Sequence, residues 1–174
     1  MRCFSRVSVF LAVSLLTGCL GMPDEVQPVQ DFEADRYLGR WYEIARLDHS
    51  FERNLTRVTA EYSRREDGAV RVINRGYNTE DEAWDDIEGV ARFVGPEDEG
   101  YLKVSFFGPF YGSYVVFEIE REGYEYAFVS GPNHDYLWLL AREPTVEDEL
   151  KQGFLQAAAA RGFDTSELIW VEQP

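Results

Sequence analysis

The sequence predicts an all-β protein, an eight-stranded antiparallel up-and-down β-barrel with one α-helix packed outside it near the C terminus and a short final strand. Aromatic residues, which favour strands, make up 15% of the 174 residues. Between residues 39 and 142, short apolar runs follow one another at fairly even spacing and are separated by Gly, Pro and Asp. Closing such a meander into a barrel removes its exposed edges.

The first strand is predicted at Gly39–Leu47, after a helical turn within residues 31–37. Side chains two apart in a strand share a face. Alternation therefore turns one set of residues towards the barrel interior: Gly39, Trp41, Glu43 and Ala45. Because Glu43 carries a carboxylate, we expect an interior cation or hydroxyl to accompany it, or a solvated position near one end.

Seven further strands follow at 56–64, 69–77, 84–94, 101–107, 113–120, 124–130 and 136–142. Asp67-Gly68 is a strong hairpin signal between the second and third of the eight strands. After Pro144, an apolar stripe that includes Leu150 and Phe154 indicates the helix, with Thr145 as its cap. A last strand at Leu168–Val171 is expected to pair beside the first.

The N-terminal residues are typical of a secreted lipoprotein. Arg2 and Arg6 precede an apolar run at residues 7–16 that is too short to span a bilayer. The following Leu16–Cys19 segment resembles a lipobox, so residues 1–18 are predicted to be a signal peptide and Cys19 the acylated N terminus. A plain signal peptide or an uncleaved anchor is the alternative. Residues 19–31 are predicted to be a flexible tether and residues 32–174 the folded domain.

The charge balance limits the partners of the protein. The chain carries 32 acidic and 17 basic residues, a formal net charge of -15. Such a surface repels the phosphates of nucleic acids and anionic lipid headgroups, so no nucleic-acid partner is expected. Acyl chains on Cys19, rather than charge, would hold the protein at a membrane.

Three segments carry a resemblance to a known family: Tyr37–Arg46, Lys103–Gly112 and Asp135–Arg142. With the order of strands and helix, they resemble the lipocalins, specifically the bacterial outer-membrane lipoprotein lipocalins related to apolipoprotein D. Residue 20 is Leu rather than Asp, which by the usual sorting pattern of such lipoproteins points to the outer membrane. The resemblance also implies that Arg142 packs across Trp41 at the closed end of the barrel, as a structural pair.

An eight-stranded barrel either fills with side chains or holds one small ligand. The resemblance implies the second, with a fatty acid or lysophospholipid as the ligand. Alternation selects a set of lining residues: Ala45, Asn74, Phe93, Val104, Phe106, Tyr114 and Trp138. Each could equally be a packed core residue or face the helix, since a shift of one residue inverts the set.

An aromatic loop after the fifth strand is expected at the open end. Phe107, Phe110 and Tyr111 lie among glycines and a proline there. They could form an apolar lip that a lipid tail passes on entry. The alternatives are a corner packed on the barrel or a contact with another subunit in a homodimer.

Enzymatic function has little support in the sequence. The two histidines, His49 and His134, fall in separate loops, and no cluster has the spacing of metal ligands. We therefore expect no catalytic residues, no metal and no cofactor. Two alternatives to a lipid carrier stay open: binding of haem or another small hydrophobic ligand near one of these histidines, and a packed barrel with a structural or interaction role.

Overall fold

A computed structural model of the chain describes residues 20–174. Its nine strands are β1 Gly39–Leu47, β2 Leu55–Arg64, β3 Val70–Asn78, β4 Ala83–Phe93, β5 Tyr101–Ser105, β6 Gly112–Ile119, β7 Tyr126–Ser130, β8 Leu137–Ala141 and β9 Leu168–Trp170. Its helices are α1 Ala34–Tyr37, α2 Asp148–Ala159 and a 3₁₀ helix at Thr165–Glu167.

The strands form a closed barrel. Each strand from β1 to β7 pairs antiparallel with the next, and β8 pairs with β1, so that the eight strands close into a barrel without a free edge. The last strand, β9, pairs with the end of β1, where Leu47 lies opposite Leu168. The predicted fold is therefore confirmed, including the position of the final strand.

The hairpin connections define two ends of the barrel. Loops 48–54, 79–82, 106–111 and 131–136 join strands at one end, which we call the open end. Loops 65–69, 94–100 and 120–125 lie at the other, the closed end, where α1 and the start of β1 also lie. The hairpin predicted at Asp67-Gly68 is present, and Gly68 supplies its positive φ of 78°.

Apolar side chains form two layers. The interior cluster lies inside the barrel and includes Trp41, Tyr62, Val72 and Val129. The helix-side cluster lies between the outer barrel wall and α2, where Phe154 meets Phe128 with ring centroids 5.0 Å apart. Strands β6 to β8 are apolar on both faces because each face packs against one of these layers.

A bulge in β1 changes which residues face the interior. Glu43 pairs with Leu140 and Ala45 with Leu139, so Ile44 is an extra residue opposite β8. The bulge reverses the alternation after Glu43. Ala45 consequently packs in the helix-side cluster and Arg46 takes the inward direction, so the prediction that Ala45 lines the interior was wrong.

Residues 20–31 pack along the barrel, in contrast to the predicted flexible tether. Val26 is fully buried in the helix-side cluster. The Gly21 N–H donates to Ser113 Oγ at 2.9 Å, and the Val29 N–H donates to the Val116 carbonyl at 2.9 Å. These contacts use backbone groups and one buried side chain, which give no periodic pattern in the sequence. The predicted signal peptide and Cys19 lie outside the described residues.

Helix α2 begins later than its predicted cap. Its first residue is Asp148, and the preceding Glu147 makes no side-chain capping hydrogen bond. The prediction that Thr145 caps this helix was therefore wrong. Two carboxylates in the first turn, Asp148 and Glu149, still complement the helix dipole there.

Candidate ligand-binding site

An apolar cavity of about 20 Å³ lies in the half of the barrel nearer the closed end. This volume is close to the space that one water molecule occupies. The cavity is lined by side chains from α1 and from five strands or their flanks: Phe32, Ala34, Tyr37, Leu38, Tyr62, Val70, Ala91, Phe93, Leu102, Val104 and Tyr114. The only polar side-chain atoms in this lining set are tyrosine hydroxyls.

Three tyrosine hydroxyls form a chain inside the barrel. The Tyr37 and Tyr114 hydroxyl oxygens are 2.6 Å apart, and those of Tyr62 and Tyr114 are 2.9 Å apart. Burial raises the pKa of all three phenols, so they stay neutral. Three O–H protons share two hydrogen bonds, which leaves one proton for a further acceptor inside the barrel.

The closed end is filled by Trp41 and Arg142. The guanidinium carbon of Arg142 lies 3.8 Å from the centre of the Trp41 ring, within cation–π distance. Arg142 also donates to the carbonyls of Arg36, Arg40 and Tyr124, at 2.7, 2.8 and 3.2 Å. The Trp41 Nε1–H donates to the Tyr37 carbonyl at 2.8 Å. These contacts join α1, β1 and the end of β8 around one side chain.

A buried polar cluster lies on the inner side of β1 and its loop towards the open end. Arg46 Nη1 donates to Glu43 Oε1 at 2.7 Å, and Arg46 Nη2 donates to the Glu52 and Leu55 carbonyls at 2.9 Å each. Trp138 Nε1 donates to Glu52 Oε2 at 3.1 Å. The cluster ties the loop 48–54 to the barrel wall.

The cluster contains two carboxylates, of which Glu43 is paired with Arg46, whereas the Glu52 carboxylate accepts from Trp138. Burial, and next the Glu52 carboxylate, raise the pKa of Glu43, although Arg46 opposes this shift. His49 Nε2 lies 3.0 Å from Glu52 Oε2 without the alignment of a hydrogen bond. Its ring stacks on Phe51, with centroids 4.0 Å apart.

The structure brings together most of the predicted lining residues. Five of the seven pack against the interior cluster: Phe93, Val104, Phe106, Tyr114 and Trp138. Asn74 lies opposite Ala60 across the β2–β3 ladder, so the two side chains share the inner face. Its Oδ1 is buried without a hydrogen-bond partner in the described part of the chain. Ala45, on the helix side, does not join them.

The aromatic loop is exposed at the open end. Phe107 and Phe110 are 71% and 76% exposed, whereas Tyr111 is half-buried. The corner packed on the barrel, one of the alternatives for this loop, does not describe the two phenylalanines. His134 lies outside the barrel, where its Nε2 is 2.9 Å from the Arg161 carbonyl. It therefore does not converge with His49 on an interior site.

A family model for the lipocalin-like domain matches residues 32–173, which is most of the chain. The chain belongs to the lipocalin family. It is 60% identical over 167 residues to the outer membrane lipoprotein Blc of Vibrio cholerae, covering 96% of this chain and 98% of that protein. It is 51% identical over 176 residues to the protein of that name from Escherichia coli strain K12, covering 100% and 99%. Apolipoprotein D of Macaca fascicularis is more distant, at 29% identity with 96% of each chain covered.

Solved structures support the lipocalin fold. Insecticyanin from the tobacco hornworm Manduca sexta superposes with a TM-score of 0.69 at 21% identity, covering 88% of this chain and 87% of that one. The full-length match to relatives named outer membrane lipoproteins confirms the predicted location, so this lipocalin is a lipoprotein of the outer membrane. Among residues 20–174, no helix has the length and apolar character needed to cross a bilayer.

Sequence reasoning missed several interior residues of this lipocalin. The β1 bulge turns Arg46 inward against simple alternation, and His49 and Glu52 lie in the loop 48–54, where strand alternation makes no prediction. Tyr62 follows the inward alternation of Ala60 and could have been chosen from that pattern. Tyr37 lies in α1, where no strand period applies. Across residues 20–174, no group of three or more His, Cys, Asp or Glu side chains could hold a metal ion.

Proposed function

We propose that this lipocalin is a lipid carrier whose barrel holds the acyl chain of a fatty acid or lysophospholipid, for storage, transport or repair in the cell envelope. Acyl chains on Cys19 would tether the carrier to the outer membrane. The observation that carries the proposal is the continuity of the interior. Half-buried apolar side chains, among them Phe106 and Trp138, lead from the open end to the apolar cavity below them.

The electrostatics of the interior support an orientation with the headgroup outward. Arg46, the buried cation on the inner side of β1, is already paired with Glu43 and hydrogen-bonded to two carbonyls. A ligand carboxylate or phosphate placed beside it would also face Glu43 and Glu52. The apolar tail therefore occupies the half of the barrel near the closed end, and the charged headgroup stays at the open end.

Entry of an acyl chain requires the interior to expand, because the cavity of about 20 Å³ is far smaller than such a chain. Phe106 is well placed to move. It lies just beyond the end of β5, and its ring covers Gly89, where an added Cβ would be only 2.7 Å from Phe106 Cδ1. Rotation of this ring towards the open end would lengthen the cavity along the inner face of β4.

The small cavity also favours a second candidate function. A barrel filled by its own side chains would act as a structural or interaction protein and would bind no lipid. The interior cluster contains several large rings that could fill the space, among them Trp41 and Tyr124. Direct measurement of a bound lipid separates the two functions.

Native mass spectrometry of the protein purified from membranes tests the proposal. We expect a co-purified lipid with one acyl chain. We also expect this lipid to displace a fluorescent fatty acid from the protein. Ala91→Leu, which fills the cavity, should weaken fatty-acid binding by about tenfold, because an overpacked interior costs roughly 1–3 kcal/mol. Val90→Leu is the matched control, since the neighbouring side chain points outward from the same strand.

Absence of any bound lipid, together with no binding of the fluorescent fatty acid, would contradict the carrier and support the filled barrel. Equal binding by the Ala91→Leu and Val90→Leu proteins would also contradict an acyl chain in this cavity. Unfolding curves of both variants establish that any loss of binding comes from folded protein.

A further inference from the structure

The loop 106–111 presents an uncharged apolar surface to solvent. Phe107 and Phe110 are the two most exposed large apolar side chains within residues 20–174. The Phe110 N–H donates to the Phe107 carbonyl at 3.1 Å, which holds the two rings on one tight turn. The whole segment from Phe106 to Gly112 contains no charged residue, although the chain as a whole is strongly acidic.

A cationic and a phenolic side chain lie at the base of this loop. Lys103 Nζ is 5.1 Å from the centre of the Tyr111 ring, and both side chains are half-buried. Tyrosine and lysine favour the level of lipid headgroups, where an apolar body meets a polar tip. Phe107 and Phe110 lie in the turn that joins β5 to β6, between Lys103 and Tyr111 along the chain.

The N-terminal segment begins beside the same loop. The Gly21 N–H donates to Ser113 Oγ at 2.9 Å, immediately after the loop, and Glu25 Oε2 lies 3.7 Å from His134 Nε2 in the open-end loop 131–136. Leu20, where the description of the chain starts, is 45% exposed. The described chain therefore starts beside the open end, and in the sequence only Leu20 separates Gly21 from the proposed acylation site at Cys19.

We infer that the open end of the barrel docks on the outer-membrane bilayer, with Phe107 and Phe110 inserted among the lipid headgroups next to the acyl chains of Cys19. This inference rests on the proposed acylation of Cys19, which the sequence places two residues before Gly21 and hence next to the open end. The anchor keeps the loop at a high effective concentration beside the lipids, so even weak insertion is populated. Insertion of this uncharged loop buries apolar rings without desolvating a charge.

A second copy of the chain is a poorer occupant of this surface. Two phenylalanine side chains supply only a few hundred Å² of contact, whereas stable protein–protein interfaces bury roughly 1,200–2,000 Å². A bilayer needs no complementary protein surface, and it is already present wherever the acylated N terminus is anchored.

The acylated protein, reconstituted in vesicles of phosphatidylethanolamine and phosphatidylcholine, provides the test. A tryptophan replaces Phe110 (Phe110→Trp), and lipids brominated near the top of their acyl chains serve as quenchers. We expect bromine to remove at least about half of the added fluorescence, because interfacial side chains lie roughly 5–10 Å into the headgroup boundary. Val94→Trp, at an exposed position of the closed end, is the control and should show no quenching beyond that of the wild type.

Equal quenching of the two variants, or none for Phe110→Trp, would overturn the inferred orientation. A dimer in detergent that Phe107→Ser/Phe110→Ser converts to monomer, without bromine quenching in vesicles, would assign the surface to a second copy instead. Both phenylalanines are exposed, so circular dichroism of the double variant should match that of the wild type.

Discussion

At the scale of single residues, Arg142 connects the end of β8 with α1 and β1, which lie about 100 residues earlier in the sequence. Its guanidinium covers Trp41 and donates to carbonyls of α1, β1 and the segment before β7. Burial lowers the pKa of Arg142, which shows that its charge is partly desolvated. Loss of this side chain would leave three carbonyls and the face of an indole without their partner.

We predict that Arg142→Ala lowers the free energy of unfolding by on the order of 3 kcal/mol, because charged hydrogen bonds and a cation–π contact are lost together. Urea unfolding followed by circular dichroism measures this change. Arg71→Ala is the control, since it removes only an exposed pair with Glu88 and should cost less than about 1 kcal/mol. Equal midpoints for the two variants would rule out a structural role for the Trp41–Arg142 pair.

Glu43 gives the folded protein a pH-dependent stability. Because burial raises the pKa of Glu43, the folded state keeps this proton at pH values where the unfolded state has released it. The contribution of the group to stability is complete below the usual glutamate range and is lost as the pH rises through the raised pKa. Arg46, Glu52, His49 and Tyr62 are the other ionisable side chains around it.

We predict that Glu43→Gln becomes more stable relative to the wild type as the pH rises from about 4 to 8, since the amide keeps an acceptor for Arg46 without a second buried charge. Urea midpoints across this range measure the difference. Glu61→Gln, at an exposed position on β2, should show no such trend. Parallel curves for wild type and Glu43→Gln would show that the Glu43 carboxylate folds without a penalty.

At the scale of elements, the bulge in β1 decides which residues belong to the binding site. Trp41 follows the simple alternation and was placed correctly, whereas Ala45 and Arg46 exchange faces after Ile44. No residue in this stretch signals the bulge, because Ile44, Ala45 and Leu47 are apolar and fit either face. Alternation along β1 was therefore insufficient to predict which residues after Glu43 face the interior.

Substitution at Ala45 tests the bulge. We predict that Ala45→Leu lowers the free energy of unfolding by about 1–3 kcal/mol through overpacking against the helix-side cluster, while fatty-acid affinity stays unchanged. Ala60→Leu, on the inner face of β2, should weaken binding instead. Binding assays on both folded variants distinguish the faces, and loss of affinity in Ala45→Leu alone would place Ala45 inside the barrel.

The N-terminal segment is a second element whose role depends on tertiary contacts. Replacement of the fully buried Val26 by Ala should cost about 2 kcal/mol of unfolding free energy, because two methyl groups leave the helix-side cluster. Gln27→Ala, on an exposed neighbour, should change it by less than about 0.5 kcal/mol. If the thermal melts of the two proteins coincide, the packing of this segment is contradicted and the predicted flexible tether is supported.

At the scale of the whole molecule, closure of the sheet was predictable because strands with apolar runs on both faces and short turns leave few other arrangements. The inward positions of Phe93, Val104, Tyr114 and Trp138 followed from alternation in regular strands, and that of Phe106 from its continuation beyond β5. The Arg46 cluster, the tyrosine chain and the size of the cavity were not predictable, since they depend on distances between segments far apart in the sequence.

The inferred docking gives the barrel a direct path between membrane and interior. With the open end against lipid headgroups, a single-chain lipid could pass into the barrel without crossing free solvent. The rest of the surface, in a chain whose formal net charge is -15, would face away from anionic headgroups. The acyl chains on Cys19 would then set the location of the protein, the loop 106–111 its orientation, and the barrel interior its ligand.

The most direct test of lipid carriage is a methyl NMR titration of the protein with oleate. We predict that methyl signals of the interior cluster, from Val72, Val104 and Val129, shift on binding, whereas those of the helix-side cluster, from Val115, Leu139 and Ala158, stay close to their original positions. Shifts confined to the helix-side cluster, or no shifts with excess oleate, would contradict an acyl chain inside the barrel.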